Sequence, residues 1–181
     1  MAASDTFSYH VNGPVVPQCN IGSANAFVGI GVCEDGADID ITTFVKPIKH
    51  DGGGGPEGAE TNDIFLNAIA IIRMTLVPFA GTRINTLRAK QQAGSTDGTM
   101  VVPGTLYGEN SMYVGLYLPV LAGEGDGPWW FKTCRVVKAG SNKVSDKETK
   151  PVFEFRAINY FAIASANTIA SNVLYTRAAP P

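Results

Sequence analysis

Histidine, paired cysteine and concentrated charge are all scarce in this chain. Only His10 and His50 occur, in segments read as an arm and a loop, and no HExxH, GxSxG or CxxC arrangement is present. The zinc-protease, serine-hydrolase and dithiol chemistries that need those spacings are therefore excluded, and no enzyme is expected. Cys19, Cys33 and Cys134 are widely separated, with no His at metal-ligand spacing. They read as small buried apolar residues in a reducing compartment, and a disulfide between subunits is the lesser alternative. The carboxylates of CEDGADID, from Glu34 to Asp40, lack the spacing of a calcium loop and read as a turn with a wet acidic face. No metal or cofactor is expected.

Runs of like charge are also missing. With 14 Lys and Arg against 16 Asp and Glu, the formal net charge is −2. A non-specific nucleic-acid binder needs a concentrated basic footprint, so that class is excluded. Charged residues make up 17% of the chain, below the roughly 25% usual for soluble domains, which suggests that neighbours cover much of the surface. The longest apolar run, Ile64 to Leu76, includes Asn67 and Arg73 and falls short of the ~20 residues a membrane helix needs. The start, MAASDTFSYH, has no basic segment leading into an apolar core, so synthesis in a cytoplasm without a secretory leader is expected.

What is present is a succession of strand signals. The 181 residues suit one domain, divided here into an N-terminal extended arm (1–25), a β domain (26–161) and a C-terminal extension (162–181). Gly13, Pro14 and Pro17 punctuate the arm, which is expected to lie along another surface. Phe27, Val28, Ile30 and Val32 form a short strand closed by a hairpin signal at Asp35 and Gly36. From Ala37 to Lys49, Ile39 and Ile41 share one face while Asp38, Asp40 and Thr42 share the other, the period-2 mark of a half-buried strand.

The glycine-rich stretch from His50 to Asn62 lacks the Lys and Ser or Thr of a phosphate-binding loop and is expected to be irregular. Asp63 to Val77 is apolar on both faces, and its Ile, Val, Thr and Phe content favours a long buried strand over a helix. Phe79 to Ala93 is the helix candidate: Ile84 and Leu87 at helical spacing, Thr82 as cap, Arg88 and Lys90 near the C-terminus, Gly94 as stop, and Arg83, Arg88 and Lys90 on a solvated face. Short strands follow near Val101 and from Met112 to Leu118; the intervening tyrosines have no interleaved cations and read as sheet residues. The segments 127–137 and 150–161 form a terminal hairpin in which Phe153, Phe155 and Ala157 alternate with Glu154 and Arg156. The remaining tail is expected to be weakly structured.

This order of strand, E-D-G turn, alternating strand, long glycine loop, apolar strand, single short helix and closing P-V-F-E-F-R-A strand resembles the tail tube, or major tail, proteins of tailed bacteriophages, whose fold type VI secretion tubes share. The resemblance spans about Phe27 to Phe161. It implies a mainly β fold, a β-sandwich or partial barrel with one short flanking α-helix. It further implies six copies closing into rings that stack as a hollow tube, with genomic DNA passing through without specific binding. Sheath, tape-measure and baseplate or neck proteins are the further partners implied, and the virion tail, assembled in the host cytoplasm, the implied location. The loop residues His50, Asp51, Gly52, Gly53, Gly54, Gly55, Pro56 and Glu57 map onto the family's ring-stacking loop. Either terminal extension is free to clasp a neighbouring subunit or a sheath.

A lumen carrying scattered carboxylates would repel phosphates and let a duplex slide, whereas a basic lumen would hold it. Asp38, Asp40, Glu148 and Glu154 are the candidates to face such a channel. The alternative is a capsid decoration or cement protein, which is also β-rich and without catalytic motifs. A carbohydrate-binding β-sandwich using Trp129 and Trp130 ranks last, because adjacent strand residues point to opposite faces.

Overall fold

The computed structural model describes residues 3–22, 26–50, 59–78, 80–92, 113–119, 128–140, 150–164 and 168–180. Among the described residues it is mainly β with a single helix, and every strand pairing is antiparallel. In chain order the elements are β1 (Ala3–Val11), β2 (Gln18–Cys19), β3 (Val28–Gly29), β4 (Gly31–Val32), β5 (Ala37–His50), β6 (Ala59–Thr75), β7 (Val77–Pro78), α1 (Gly81–Gln91), β8 (Val114–Leu118), β9 (Trp129–Ala139), β10 (Val152–Ile158), β11 (Tyr160–Ala164) and β12 (Thr168–Val173). Eight strands form one open sheet in the order β1-β5-β6-β10-β9-β8-β2-β3, with β11–β12 and β4–β7 as separate pairs.

One face of the sheet carries the core. Ile39, Ile41, Ala68, Ala70, Ile72, Met74, Phe153, Phe155, Ala157, Phe131 and Val136 are all buried, each alternating with an outward neighbour as a pleated strand requires. The apolar run that periodicity left undecided is the strand β6; its inward positions are largely Ala, Ile and Met, and Ile69 and Ile71 on the other face are half-buried. The closing hairpin is formed by β9 and β10, with a bulge beside Glu154.

The helix contributes Ile84, Leu87 and Ala89 to the interior. Its start is not capped by Thr82: Ala80 sits at the N-cap, in extended conformation and with no side-chain bond to the first turn. Nor is its basic face simply solvated. Arg83 donates to Gly29 O, Arg88 Nε donates to Ala139 O at 3.3 Å, and Gln91 Oε1 accepts from Ala139 N at 3.0 Å. The last turn is thereby tied to the end of β9. The stop expected at Gly94 lies outside the described residues.

Three expectations change. The extended N-terminal segment lies along the chain's own β5, from Ala3 opposite Val45 to Val11 opposite Ala37, and Val11, Val15 and Cys19 enter the core. The Asp35–Gly36 turn does not close a hairpin, because β3 pairs with β2 and β4 with β7, leaving β5 to β1 and β6. The reason is local: Gly36 has φ +86°, and a Cβ there would stand 1.9 Å from Val11 O, so the N-terminal segment occupies the space a returning strand would need. Finally, the C-terminal extension is structured, with the β11–β12 hairpin, a buried Leu174 and a bridge from Thr176 to Trp130.

Candidate functional site

The longest local feature is the β5–β6 hairpin. β1 covers β5 only as far as Val45, and β10 covers β6 only from Ile69 onward. Residues 46–50 and 59–64 therefore have each other as their strand partners among the described residues and project past both neighbouring strands, while residues 65–68 lie opposite β5 positions that β1 still covers and project past β10 alone. A bulge beside Val45 re-aims this extension. It carries Ile48, Ile64, Phe65 and Leu66, with Phe65 53% and Leu66 49% exposed. Phe7 on β1, opposite Ile41, is also 52% exposed. The outer edge of β1 has no strand partner among the described residues, so its backbone donors and acceptors face outward.

The stacking-loop candidates fall mostly beyond description. His50 is the last residue of β5 and pairs with Ala59, so the strands run closer to the glycines than expected, and residues 59–62 are strand instead of loop. Asp51, Gly52, Gly53, Gly54, Gly55, Pro56 and Glu57 lie outside the described residues, as does Glu148.

Asp38, Asp40 and Glu154 do share the outward face of the sheet, but they do not make it an acidic wall. At one register, five adjacent strands present His10, Asp38, Arg73, Glu154 and Lys138, nitrogen-bearing side chains alternating with carboxylates. The next outward register presents Ser8, Asp40, Ile71, Arg156 and Arg135. Arg73 is the hub: NH1 donates to Asp40 at 2.7 Å and Nε to Glu154 at 3.2 Å. The bonds to Glu154 and Asp40 push the Arg73 guanidinium further above its already high ordinary value. His10 Nδ1 lies 2.7 Å from Asp38, and Ser8 Oγ donates to Asp40 at 2.6 Å. A channel bounded by this face would be lined by ion pairs. Arg73 was visible in the sequence only as the charge that interrupts an apolar run, and its partners are strands far away along the chain.

The three cysteines are free and buried. Burial raises the thiol of Cys19, and burial together with the neighbouring Cys19 raises that of Cys134; burial also raises Cys33, partly offset by bonds to backbone. A disulfide between subunits therefore has no surface thiol to form from in this conformation. Trp129 is buried and Trp130 half-buried on the opposite face, so the two do not form a sugar platform. Among the described residues no group of three His, Cys, Asp or Glu comes together to hold a metal, and no helix is long and apolar enough to cross a membrane.

No family model, curated protein or solved structure matches the chain.

Proposed function

We propose that this chain is a structural protein that self-assembles into stacked, hexameric rings, forming a phage tail tube that conducts genomic DNA. The observation that carries this reading is the open sheet that ends in the β1 edge, together with a hairpin that extends past β10 and carries exposed Phe65 and Leu66. Unpaired strand edges recruit further strands, and exposed large apolar side chains favour burial against another surface. Both features suit a chain whose neighbours complete it. On this reading the protein resides in the virion tail, is assembled in a host cytoplasm, and meets sheath, tape-measure and baseplate or neck proteins.

Negative-stain imaging of the purified chain, with sedimentation velocity over a range of concentrations, tests this. Stacked rings or tubes with a central hole are the expected result. Monomers or small closed oligomers without a hole, at all concentrations, would overturn it in favour of a capsid decoration protein.

A further inference from the structure

We propose that the edge of β9 at Trp129–Phe131 is a strand-acceptor site for an extended, arginine-bearing peptide segment of a partner protein, held closed by this chain's own residues Leu174–Arg177.

The site exists because two paired strands differ in length. β10 pairs with β9 only as far as Ala157 opposite Cys134, so residues 129–133 of β9 extend beyond it. On its other side Trp130 faces Tyr117 of β8, which leaves one edge open. The C-terminal strap fills that edge: Trp130 N donates to Thr176 O and Thr176 N donates to Trp130 O, both at 2.9 Å. On the core side, the Arg177 guanidinium stands 3.4 Å from the Trp129 ring centroid and 5.6 Å from that of Tyr175. Tyr175 itself packs on Trp129 at 4.7 Å, and Tyr9 and Phe131 lie against the same indole at 5.2 and 6.0 Å. Backbone pairing plus an aromatic floor for one cation is the chemistry by which sheet edges recognise peptides. The strap thus displays the ligand the seat accepts: extended backbone opposite Trp130, followed by a guanidinium over Trp129.

Three features make the strap exchangeable. It is joined to the main sheet through one bridging pair, whereas β10 meets β6 through a continuous ladder from Val152 to Ile158. It follows the β11–β12 pair, a separate sheet that does not hydrogen-bond to the main one. Its fit is also incomplete: Trp130 Nε1 and Thr176 Oγ1 are buried with no hydrogen-bond partner among the described residues, and each such group opposes closure. The seat is built within the single chain, so ring formation is not required for it.

The test uses the full chain carrying Thr176→Pro, which removes the strap's donor to Trp130 O, and a labelled synthetic peptide with the sequence of Leu174–Pro180. Fluorescence anisotropy is expected to show saturable binding to the variant at least about tenfold tighter than to the unmodified chain. Replacing the peptide's arginine by alanine is expected to weaken binding by about tenfold, the scale of a desolvated cation–π contact. A variant with unchanged circular dichroism that binds no peptide, or binds it regardless of the arginine, overturns the proposal. Should the variant not fold, hydrogen exchange on the unmodified chain decides. The Trp130 and Thr176 amides are expected to exchange about a hundredfold faster than the paired amides of β9 and β10, as local opening requires; equal protection overturns the proposal.

Discussion

At the scale of single residues, Arg73 and the buried thiols carry the clearest consequences. Arg73 joins β5, β6 and β10 through Asp40 and Glu154, yet its side chain is 46% exposed, and exposed pairs contribute only about 0–1 kcal/mol. Replacement by Met is expected to lower stability in urea by about 1 kcal/mol, and the difference should shrink at about 1 M NaCl, where screening is nearly complete. A loss unchanged by salt would mean that packing of the side-chain stem dominates. The thiols act in the opposite range. Burial raises Cys19 and Cys134 above the ordinary 9.0, so the folded chain keeps protons that the unfolded chain releases. Their contribution is complete below pH 9.0 and falls above it, by up to about 1.4 kcal/mol per pH unit for each thiol. A Cys19→Ala, Cys134→Ala variant is therefore expected to show a flatter decline of stability between pH 9 and 10 than the parent. Identical slopes in thermal unfolding would refute this coupling.

At the scale of elements, the uncapped start of α1 is open to improvement. Ala80 already has the extended backbone of an N-cap, and the first turn holds no acidic residue. Ala80→Asp should therefore stabilise the protein by about 0.5–1 kcal/mol, measured by thermal or urea unfolding, through a side-chain bond to a first-turn N–H group and a favourable interaction with the helix dipole. Much of this level was legible in the chain. The alternation Ile39, Ile41 against Asp38, Asp40 marked β5, Phe153, Phe155 and Ala157 marked β10, and Ile84 with Leu87 marked α1. The N-terminal strand was hidden by the attention that Gly13, Pro14 and Pro17 draw, although Phe7, Tyr9 and Val11 alternate with Ser8 and His10. The strap was hidden because Leu174, Tyr175 and Arg177 acquire meaning only beside Trp129, a partner about 45 residues away that local periodicity does not report. The same holds for β6, where Ile occurs on both faces. A slip by one residue would exchange the faces of β6 and turn Arg73 toward the core, away from Asp40 and Glu154, which disfavours the shifted register.

For the whole molecule, assembly and internal stability are separable. Phe65 and Leu66 are exposed on the β5–β6 hairpin and stand outside the core to which its other residues contribute. A Phe65→Lys, Leu66→Lys variant is expected to keep its circular dichroism and thermal midpoint while losing self-association in sedimentation; a variant that still forms the parent's oligomers would remove the hairpin from the interface. The order of the main sheet has a further consequence, which concerns time. The strand at Gln18–Cys19 leaves the ribosome well ahead of its neighbour at Leu116–Tyr117, which comes roughly a hundred residues later, a wait of roughly 5–20 s at about 5–20 residues per second. Until then the far edge of the sheet cannot close, and Cys19 has β3 but not β8 beside it. A thiol that is inert in the finished protein is thus open to oxidants during biosynthesis, and the reducing state of the compartment matters most while the chain is being made.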